Sequence, residues 1–144
     1  MRTVITADRL ITPKQSISNP VVIVEDGVIA RMDSRANIEL PSGEQLNFSG
    51  CTLVPSFFDI HIHGSAGHDV MEAIPEAFSA VGKFLARHGV GAYLATTVTA
   101  RMDATLKSLA GMAALIGRET GVARPLGIHI EGPFLSPHKK GAHP

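Results

Sequence analysis

Short apolar runs separated by turn residues fill the first 54 positions and predict a small unit of β-strands. Two of these runs flank Asp26-Gly27, and Asp-Gly between apolar runs is the strongest short-range signal for a β-hairpin. Apolar spacing of helical period is missing from this part of the sequence. The predicted strands cover residues 3–7, 21–25, 28–32, 44–48 and 52–54.

After Pro55 the pattern changes to strands that alternate with helices. Helical spacing of apolar residues predicts helices over 75–88 and 103–117, with Gly89 as the stop of the first. Strand-like runs precede, separate and follow these helices, at 57–63, 92–98 and 125–130. The face that we expect the second helix to bury consists of Leu106, Leu109, Ala110, Ala113 and Ile116.

The order β-α-β-α-β predicts a parallel sheet with right-handed crossovers. Three strands and two helices correspond to the first three-eighths of a (β/α)₈ barrel, a fold of about 250 residues. The sequence has 144 residues, and no closing helix follows its third predicted strand. We therefore expect the remaining barrel units to lie beyond this sequence.

Charge and cysteine content narrow the possible partners and the compartment. Lys+Arg and Asp+Glu number 13 each, which argues against nucleic acid or an anionic membrane as a partner and leaves a small anionic substrate possible. Cys51 is the only cysteine, so no internal disulfide can form, as in a reducing compartment. No apolar run approaches the roughly 20 residues of a membrane span, and the first residues lack a secretory core. These features predict a cytoplasmic protein.

The first candidate site is His61-Ile62-His63, at the end of the strand after Pro55. Residues two apart on a strand share a face, so both imidazoles point the same way, and Gly64 places them at the carboxyl end, where parallel sheets form their sites. Two neutral imidazoles are good ligands for Zn²⁺ or Fe²⁺. Histidines without a ligand remain the alternative. Asp59, on the same face, is either satisfied by backbone groups or orients an imidazole.

The second candidate site is the end of the third strand of this unit. Alternation places Ile128 and Ile130 on the face toward the helices, and His129 and Glu131 on the opposite face. A carboxylate buried at a strand end needs a cation or hydrogen-bond donors, and a metal ion would meet that need. An arginine or loop amides would serve equally.

The last stretch, residues 136–144, holds two lysines beside two histidines. Such a cluster can attract a phosphate group, although a solvated loop would have the same composition. The four residues are His138, Lys139, Lys140 and His143.

Three stretches together resemble the N-acetylglucosamine-6-phosphate deacetylases of the amidohydrolase superfamily. They are LVPSFFDIHIHGSAGHDVMEA at 53–73, GVGAYLATTVTA at 89–100 and LGIHIEGPFLSPHKKGAHP at 126–144. The pieces Glu-Gly-Pro-Phe and Gly-Ala-His-Pro separate this family from other amidohydrolases. The resemblance covers essentially the whole chain but only a little more than a third of a typical member.

The resemblance implies a fold and a set of site residues. Residues 1–54 correspond to the N-terminal part of a small β-sandwich domain, and 55–144 to the first three β/α units of an amidohydrolase barrel. Glu131 matches the family's metal ligand, and His61 and His63 match the pair that binds a second metal in binuclear members. One or two divalent ions, Zn or Fe, are expected, and the His pair favours two. Ala142, through its backbone, and His143 match the loop that contacts the sugar.

The implied reaction is hydrolysis of N-acetylglucosamine 6-phosphate to glucosamine 6-phosphate and acetate by a metal-activated water. The family's catalytic aspartate and its other metal-binding histidines fall after residue 144, so we expect this chain alone to be inactive. A homodimer or homotetramer is expected at full length. Two alternatives stay open: another amidohydrolase, such as a dihydroorotase-like or N-acyl-amino-acid deacylase enzyme, and a non-catalytic module that binds metal or sugar phosphate.

Overall fold

The computed structural model describes residues 1–118, 122–136 and 138–143. The chain divides into two compact units, Met1–Pro55 and Ser56–Pro144. Each unit has its own sheet and its own buried core.

The first unit is a five-stranded sheet arranged around its first strand. Strand β1 pairs antiparallel with β2 and β3, and parallel with β5, while β3 pairs antiparallel with β4. The predicted hairpin at Asp26-Gly27 is confirmed, because both residues have positive φ and join β3 to β4, as in a type I′ turn. The strands are β1 Arg2–Ile11, β2 Ser16–Ser18, β3 Pro20–Glu25, β4 Val28–Ser34 and β5 Glu44–Leu53.

The predicted strands at 44–48 and 52–54 are one strand, β5. Its pairing with β1 shifts register, because Phe48 is opposite Ala7 whereas Thr52 is opposite Arg9. Gly50, with φ of 77°, lies in the resulting bulge. The glycine that interrupts the apolar pattern therefore bends the strand without ending it.

The core of the first unit is small. Val4, Val21 and Ile23 form its buried cluster, with Ile38 packed against them. Strands β4 and β5 leave most of their side chains exposed, Val28 by 68% and Phe48 by 43%. The unit thus buries one apolar patch near β1 and β3.

The second unit follows the predicted β-α-β-α-β order. Its strands β6 (Phe57–Ile62), β9 (Val90–Thr96) and β10 (Arg124–His129) form a parallel sheet with β9 in the middle. Helices α1 (Pro75–Arg87) and α2 (Met102–Ala113) connect them. A hairpin of β7 (Gly64–Ser65) and β8 (His68–Asp69), followed by a 3₁₀ turn at Val70–Glu72, comes after β6.

Helix α1 begins where its sequence predicts and ends at Arg87, one residue before the predicted end. Pro75 occupies its first turn, where a missing N–H costs nothing. The chain leaves the helix at Gly89, whose φ is 80°. Phe78, Val81 and Leu85 bury one face against the sheet. Neither helix of the described residues has the length and apolar character to cross a membrane.

The face predicted for α2 is partly wrong. Leu106 is 58% exposed and Ala110 and Ala113 are also exposed, whereas the helix buries Thr105, Ser108 and Met112. The Ser108 hydroxyl donates a 2.7 Å hydrogen bond to the Met71 carbonyl. A polar contact with the 3₁₀ turn therefore sets the rotation of the helix, which an apolar count does not register.

The prediction that Ile128 and Ile130 both pack toward the helices is correct only for Ile128. Ile128 packs against the core of the second unit, but Ile130 is 57% exposed. The strand ends at His129, so alternation no longer holds at residue 130.

Tyr93, in the middle strand, is the largest fully buried side chain of this core. Its ring centroid lies 6.4 Å from that of Phe78. Among the described residues its hydroxyl has no hydrogen-bond partner. Burial disfavours the phenolate and raises the pKa of Tyr93 to about 12.

We expect the single tyrosine to report folding through its titration. The sequence has one Tyr and no Trp, so phenolate absorbance reports Tyr93 alone. In the folded protein it should titrate near pH 12, and in urea near the ordinary value of about 10. The folded state favours the neutral phenol of Tyr93. The stability that this preference contributes is therefore complete below about pH 10 and is lost as pH rises toward 12. A folded protein that titrates at the urea value would contradict this burial.

Candidate metal centre

Three side chains that the sequence singles out meet at the carboxyl ends of two strands. His61 and Ile62 end β6, His63 follows it, and Glu131 lies two residues after β10. The middle strand β9 separates β6 from β10 in the sheet. Parallel strands bring their carboxyl ends to one edge, so residues 70 positions apart can share a site there.

The ligand atoms of these side chains form a small triangle. His61 Nε2 and His63 Nε2 lie 3.2 Å apart, and Glu131 Oε2 lies 3.0 Å from the first and 3.3 Å from the second. In a tetrahedral zinc site, bonds of about 2.0–2.1 Å place neighbouring ligand atoms about 3.3 Å apart. The spacing is therefore that of three ligands of one ion, and this group could bind a divalent metal.

The protonation pattern of the triangle also fits a cation. His63 Nδ1 lies 3.2 Å from the Thr96 carbonyl, which can only accept, so Nδ1 donates and the neutral ring has its lone pair on Nε2. Glu131 Oε2 is buried and has no hydrogen-bond partner among the described residues. One proton on His61 Nε2 could satisfy a single acceptor, whereas a metal ion would satisfy all three atoms.

The other oxygen of Glu131 is held by His143. His143 Nε2 lies 3.0 Å from Glu131 Oε1, and the Thr99 N–H donates to His143 Nδ1 at 3.2 Å. His143 Nδ1 is then the acceptor, and His143 Nε2 carries the hydrogen that it donates to Glu131 Oε1. This hydrogen bond, and to a smaller extent the nearby histidine rings, hold the pKa of Glu131 below its ordinary value despite some desolvation.

Two further residues border the triangle. The His129 ring packs edge to face on His61 at 4.8 Å, and its Nδ1 lies 3.1 Å from the Ile60 carbonyl. The Asp59 carboxylate accepts a 3.0 Å hydrogen bond from the His61 backbone N–H. Asp59 thus contacts the backbone of a candidate ligand, and no contact with an imidazole ring is recorded for it among the described residues.

The final stretch supplies one of its candidate residues to the site. His143 reaches Glu131, as described above, while Ala142 is exposed. Lys139 and Lys140 are also exposed. Pro137 and Pro144 lie outside the described residues. The roles of Ala142 and His143 in sugar binding stay predictions.

Two functional residues were not predicted from the sequence: Thr96, the last residue of the middle strand, and Thr97, which follows it, both fully buried. The Thr96 hydroxyl accepts a hydrogen bond from the Ile62 N–H at 3.0 Å, between the two histidines. The Thr97 hydroxyl contacts the backbone of Glu131. Their β-branched shape indicated a strand, and nothing in the local pattern indicated that their hydroxyls face the ligand-bearing strands.

Relatives of the chain are sugar-phosphate deacetylases. It is 35% identical to the N-acetylgalactosamine-6-phosphate deacetylase of Escherichia coli O157:H7 over all 144 residues, which are 37% of that protein. It is 37% identical to the N-acetylglucosamine-6-phosphate deacetylase of Lysinibacillus sphaericus over 123 residues, 85% of this chain and 31% of the relative. The chain thus spans about a third of the length of these relatives. No family model matches it.

The fold comparison agrees. A Mycobacterium smegmatis N-acetyl-D-glucosamine-6-phosphate deacetylase, solved as a point mutant with N-acetyl-D-glucosamine-6-phosphate bound, superposes with a TM-score of 0.83 at 27% identity. The match covers 99% of this chain and 36% of that one. The fold of the chain is that of an amidohydrolase. Within that class, the chain is similar over essentially its whole length to sugar-phosphate deacetylases, at 34–35% identity to those of Escherichia coli O157:H7, Vibrio furnissii and Bacillus subtilis.

We expect Glu131→Gln to weaken binding of Zn²⁺ or Co²⁺ by more than about 100-fold. The Gln amide keeps the shape of the side chain but lacks the negative charge that helps two neutral imidazoles hold a cation. Residues that contact a metal ligand without touching the metal are typically worth 10–100-fold in metal affinity, so loss of a ligand should cost more. Isothermal titration calorimetry with the purified protein measures the change. Glu76→Gln, in the exposed first turn of α1, is the matched control and should bind as the wild type does. Equal affinity of the two variants would contradict the site.

Proposed function

We propose that this chain is part of a metal-dependent deacetylase that hydrolyses the acetamide of N-acetylglucosamine 6-phosphate to glucosamine 6-phosphate and acetate. The observation that carries the proposal is the convergence of His61 Nε2, His63 Nε2 and Glu131 Oε2 within 3.0–3.3 Å of one another. The similarity to deacetylases over the whole chain supports the choice of reaction.

A divalent cation held by His61, His63 and Glu131 would supply Lewis acidity, which polarises a carbonyl and makes water a better nucleophile near neutral pH. We propose zinc or iron, because imidazole and carboxylate donors suit both. The single triangle accounts for one ion. The resemblance suggests a second metal ion. Metal analysis of the purified protein measures how many ions each chain binds.

The residues of this chain would hold the site in its active protonation state. Thr96 keeps the proton of His63 on Nδ1, so the lone pair on Nε2 faces the site. His143 donates to Glu131 and keeps it ionised as pH falls toward the ordinary range of a carboxylate. Amide hydrolysis also needs a group that takes a proton from water and returns it to the leaving amine. By family resemblance, that group is an aspartate after residue 144.

The substrate is proposed from the relatives and from the loop after β10. A solved relative holds N-acetyl-D-glucosamine-6-phosphate. Ala142 and His143 are the residues that we propose to contact the sugar. Because His143 Nε2 already donates to Glu131, its contact with a sugar would use another atom or a rearranged ring.

N-acetylgalactosamine 6-phosphate is a second candidate substrate. A relative that aligns over the whole chain carries that sugar in its name, at 35% identity. The two sugars differ only in the configuration at one hydroxyl, and the acetamide chemistry is the same. The cytoplasmic location and the homodimer or homotetramer stay predictions.

The test is acetate release by the complete polypeptide that carries this chain. We expect turnover of N-acetylglucosamine 6-phosphate, loss of it with a chelator, and a fall of more than about 10³-fold in kcat for Glu131→Gln, since loss of a metal ligand removes the activated water. Glu76→Gln should keep full activity. N-acetylgalactosamine 6-phosphate and unphosphorylated N-acetylglucosamine serve as comparison substrates.

Each outcome points to one part of the proposal. Activity that survives both the chelator and Glu131→Gln would overturn the metal mechanism. Faster turnover of N-acetylgalactosamine 6-phosphate would replace the substrate and keep the reaction. Metal binding without acetate release from any of the three sugars would favour a binding module or a different amidohydrolase.

A further inference from the structure

Glu131 lies beyond the ladder of hydrogen bonds that holds its strand. The pairing of β10 with β9 ends where His129 is opposite Thr96. Three residues later, the chain leaves the strand direction at Gly132, whose φ is 77°. The backbone of Glu131 therefore needs some other anchor if its carboxylate is to stay beside His61 and His63.

Thr97 supplies that anchor through its side chain. The Glu131 N–H donates to Thr97 Oγ1 at 2.9 Å, and the Thr97 hydroxyl donates to the Glu131 carbonyl at 3.2 Å. The Thr97 N–H also donates to the His129 carbonyl at 2.9 Å. One hydroxyl thus replaces the missing ladder partner, because it can accept and donate at once.

Burial makes this contact specific to the hydroxyl. Thr97 is 0% exposed, so water has little access to replace its oxygen. Removal of the oxygen would leave a donor and an acceptor of the Glu131 backbone without their partner in a part-buried place. The chain would relieve this by shifting, and a shift at Glu131 moves its carboxylate relative to the two imidazoles.

We propose that Thr97 is the positioning residue of the metal ligand Glu131, and that its hydroxyl sets the metal affinity of the site. The inference rests on the proposed metal site and goes beyond it, because Thr97 itself offers no atom to the triangle of ligand atoms. Outer partners of metal ligands are typically worth 10–100-fold in affinity.

Two variants of Thr97 separate the effect of its hydroxyl from that of its shape, and a third variant, at Thr105, is the control. Thr97→Val keeps the shape and removes the oxygen, whereas Thr97→Ser keeps the oxygen and removes a methyl group. Thr105→Val is the matched control in the same unit. Thr105 is 4% exposed, and among the described residues its hydroxyl has no hydrogen-bond partner.

The readout is the affinity of the purified protein for Co²⁺ or Zn²⁺, together with the visible spectrum of bound cobalt. We expect Thr97→Val to bind 10–100-fold more weakly and with an altered spectrum. Thr97→Ser should stay within about threefold of wild type, and Thr105→Val should be unchanged. Near-ultraviolet circular dichroism of Tyr93 confirms that each variant is folded when metal is added.

Several results would overturn the inference, and they differ from those that overturn the site. Wild-type affinity and spectrum in Thr97→Val would overturn the role of Thr97 alone. An equal loss in Thr97→Ser would assign the effect to packing and overturn the role of the hydroxyl. No metal binding by the folded wild type would overturn the metal site and this inference together.

A second measurement does not depend on whether Thr97→Val folds. In the metal-free wild type, the Glu131 amide should exchange its hydrogen slowly, because its partner is a buried side chain. We expect protection comparable to that of the Thr97 amide, which donates to His129. Exchange at the rate of an unprotected loop amide would show that the hydroxyl does not hold Glu131, and would overturn the inference.

Discussion

Glu131 Oε2 is a buried atom that lies 3.0 Å from one imidazole nitrogen and 3.3 Å from another, and the site proposed in the second unit depends on this contact. A carboxylate oxygen without a hydrogen donor is costly in such a place unless a cation joins it. The contact requires the ends of β6 and β10 to lie close together, one strand apart. The parallel arrangement with helical crossovers brings residues 61, 63 and 131 to the same edge.

The packing of the unit supports that edge through the middle strand. Tyr93 and Ala95 of β9 are buried beneath α1 and α2, and this fixes the middle strand. Thr96, the last residue of β9, then accepts a hydrogen bond from the Ile62 N–H, and Thr97, which follows it, accepts one from the Glu131 N–H. The buried core thus fixes the middle strand, and these two threonines fix the backbone at the ligand residues, as a preorganised site requires.

Much of the fold and of the candidate site could be predicted from the sequence, because the period of the residue pattern and the spacing of turn residues indicate the elements and the faces that they share. The period of two in His61-Ile62-His63 predicts a shared face, and Gly64 marks the end of that strand. The Asp26-Gly27 hairpin and the ends of α1 follow from local turn and cap chemistry.

What could not be predicted depends on contacts between distant residues. The rotation of α2 follows from the bond between Ser108 and Met71, and β5 continues through Gly50 because it pairs with β1. The bond from His143 to Glu131 and the bonds of Thr97 to Glu131 join residues 12 and 34 positions apart. Binary patterns of apolar and polar residues do not encode such partners.

We expect His61 and His63, and no other pair of histidines, to face the metal ion. A long-range ¹H–¹⁵N correlation spectrum of the imidazole rings, recorded while Zn²⁺ is added, tests this expectation directly for all seven histidines. The Nε2 signals of His61 and His63 should move to the position of metal-bound nitrogen, while those of His68, His88 and His138 stay unchanged. Unchanged signals of His61 and His63, or metal-bound signals from a different pair, would contradict this expectation.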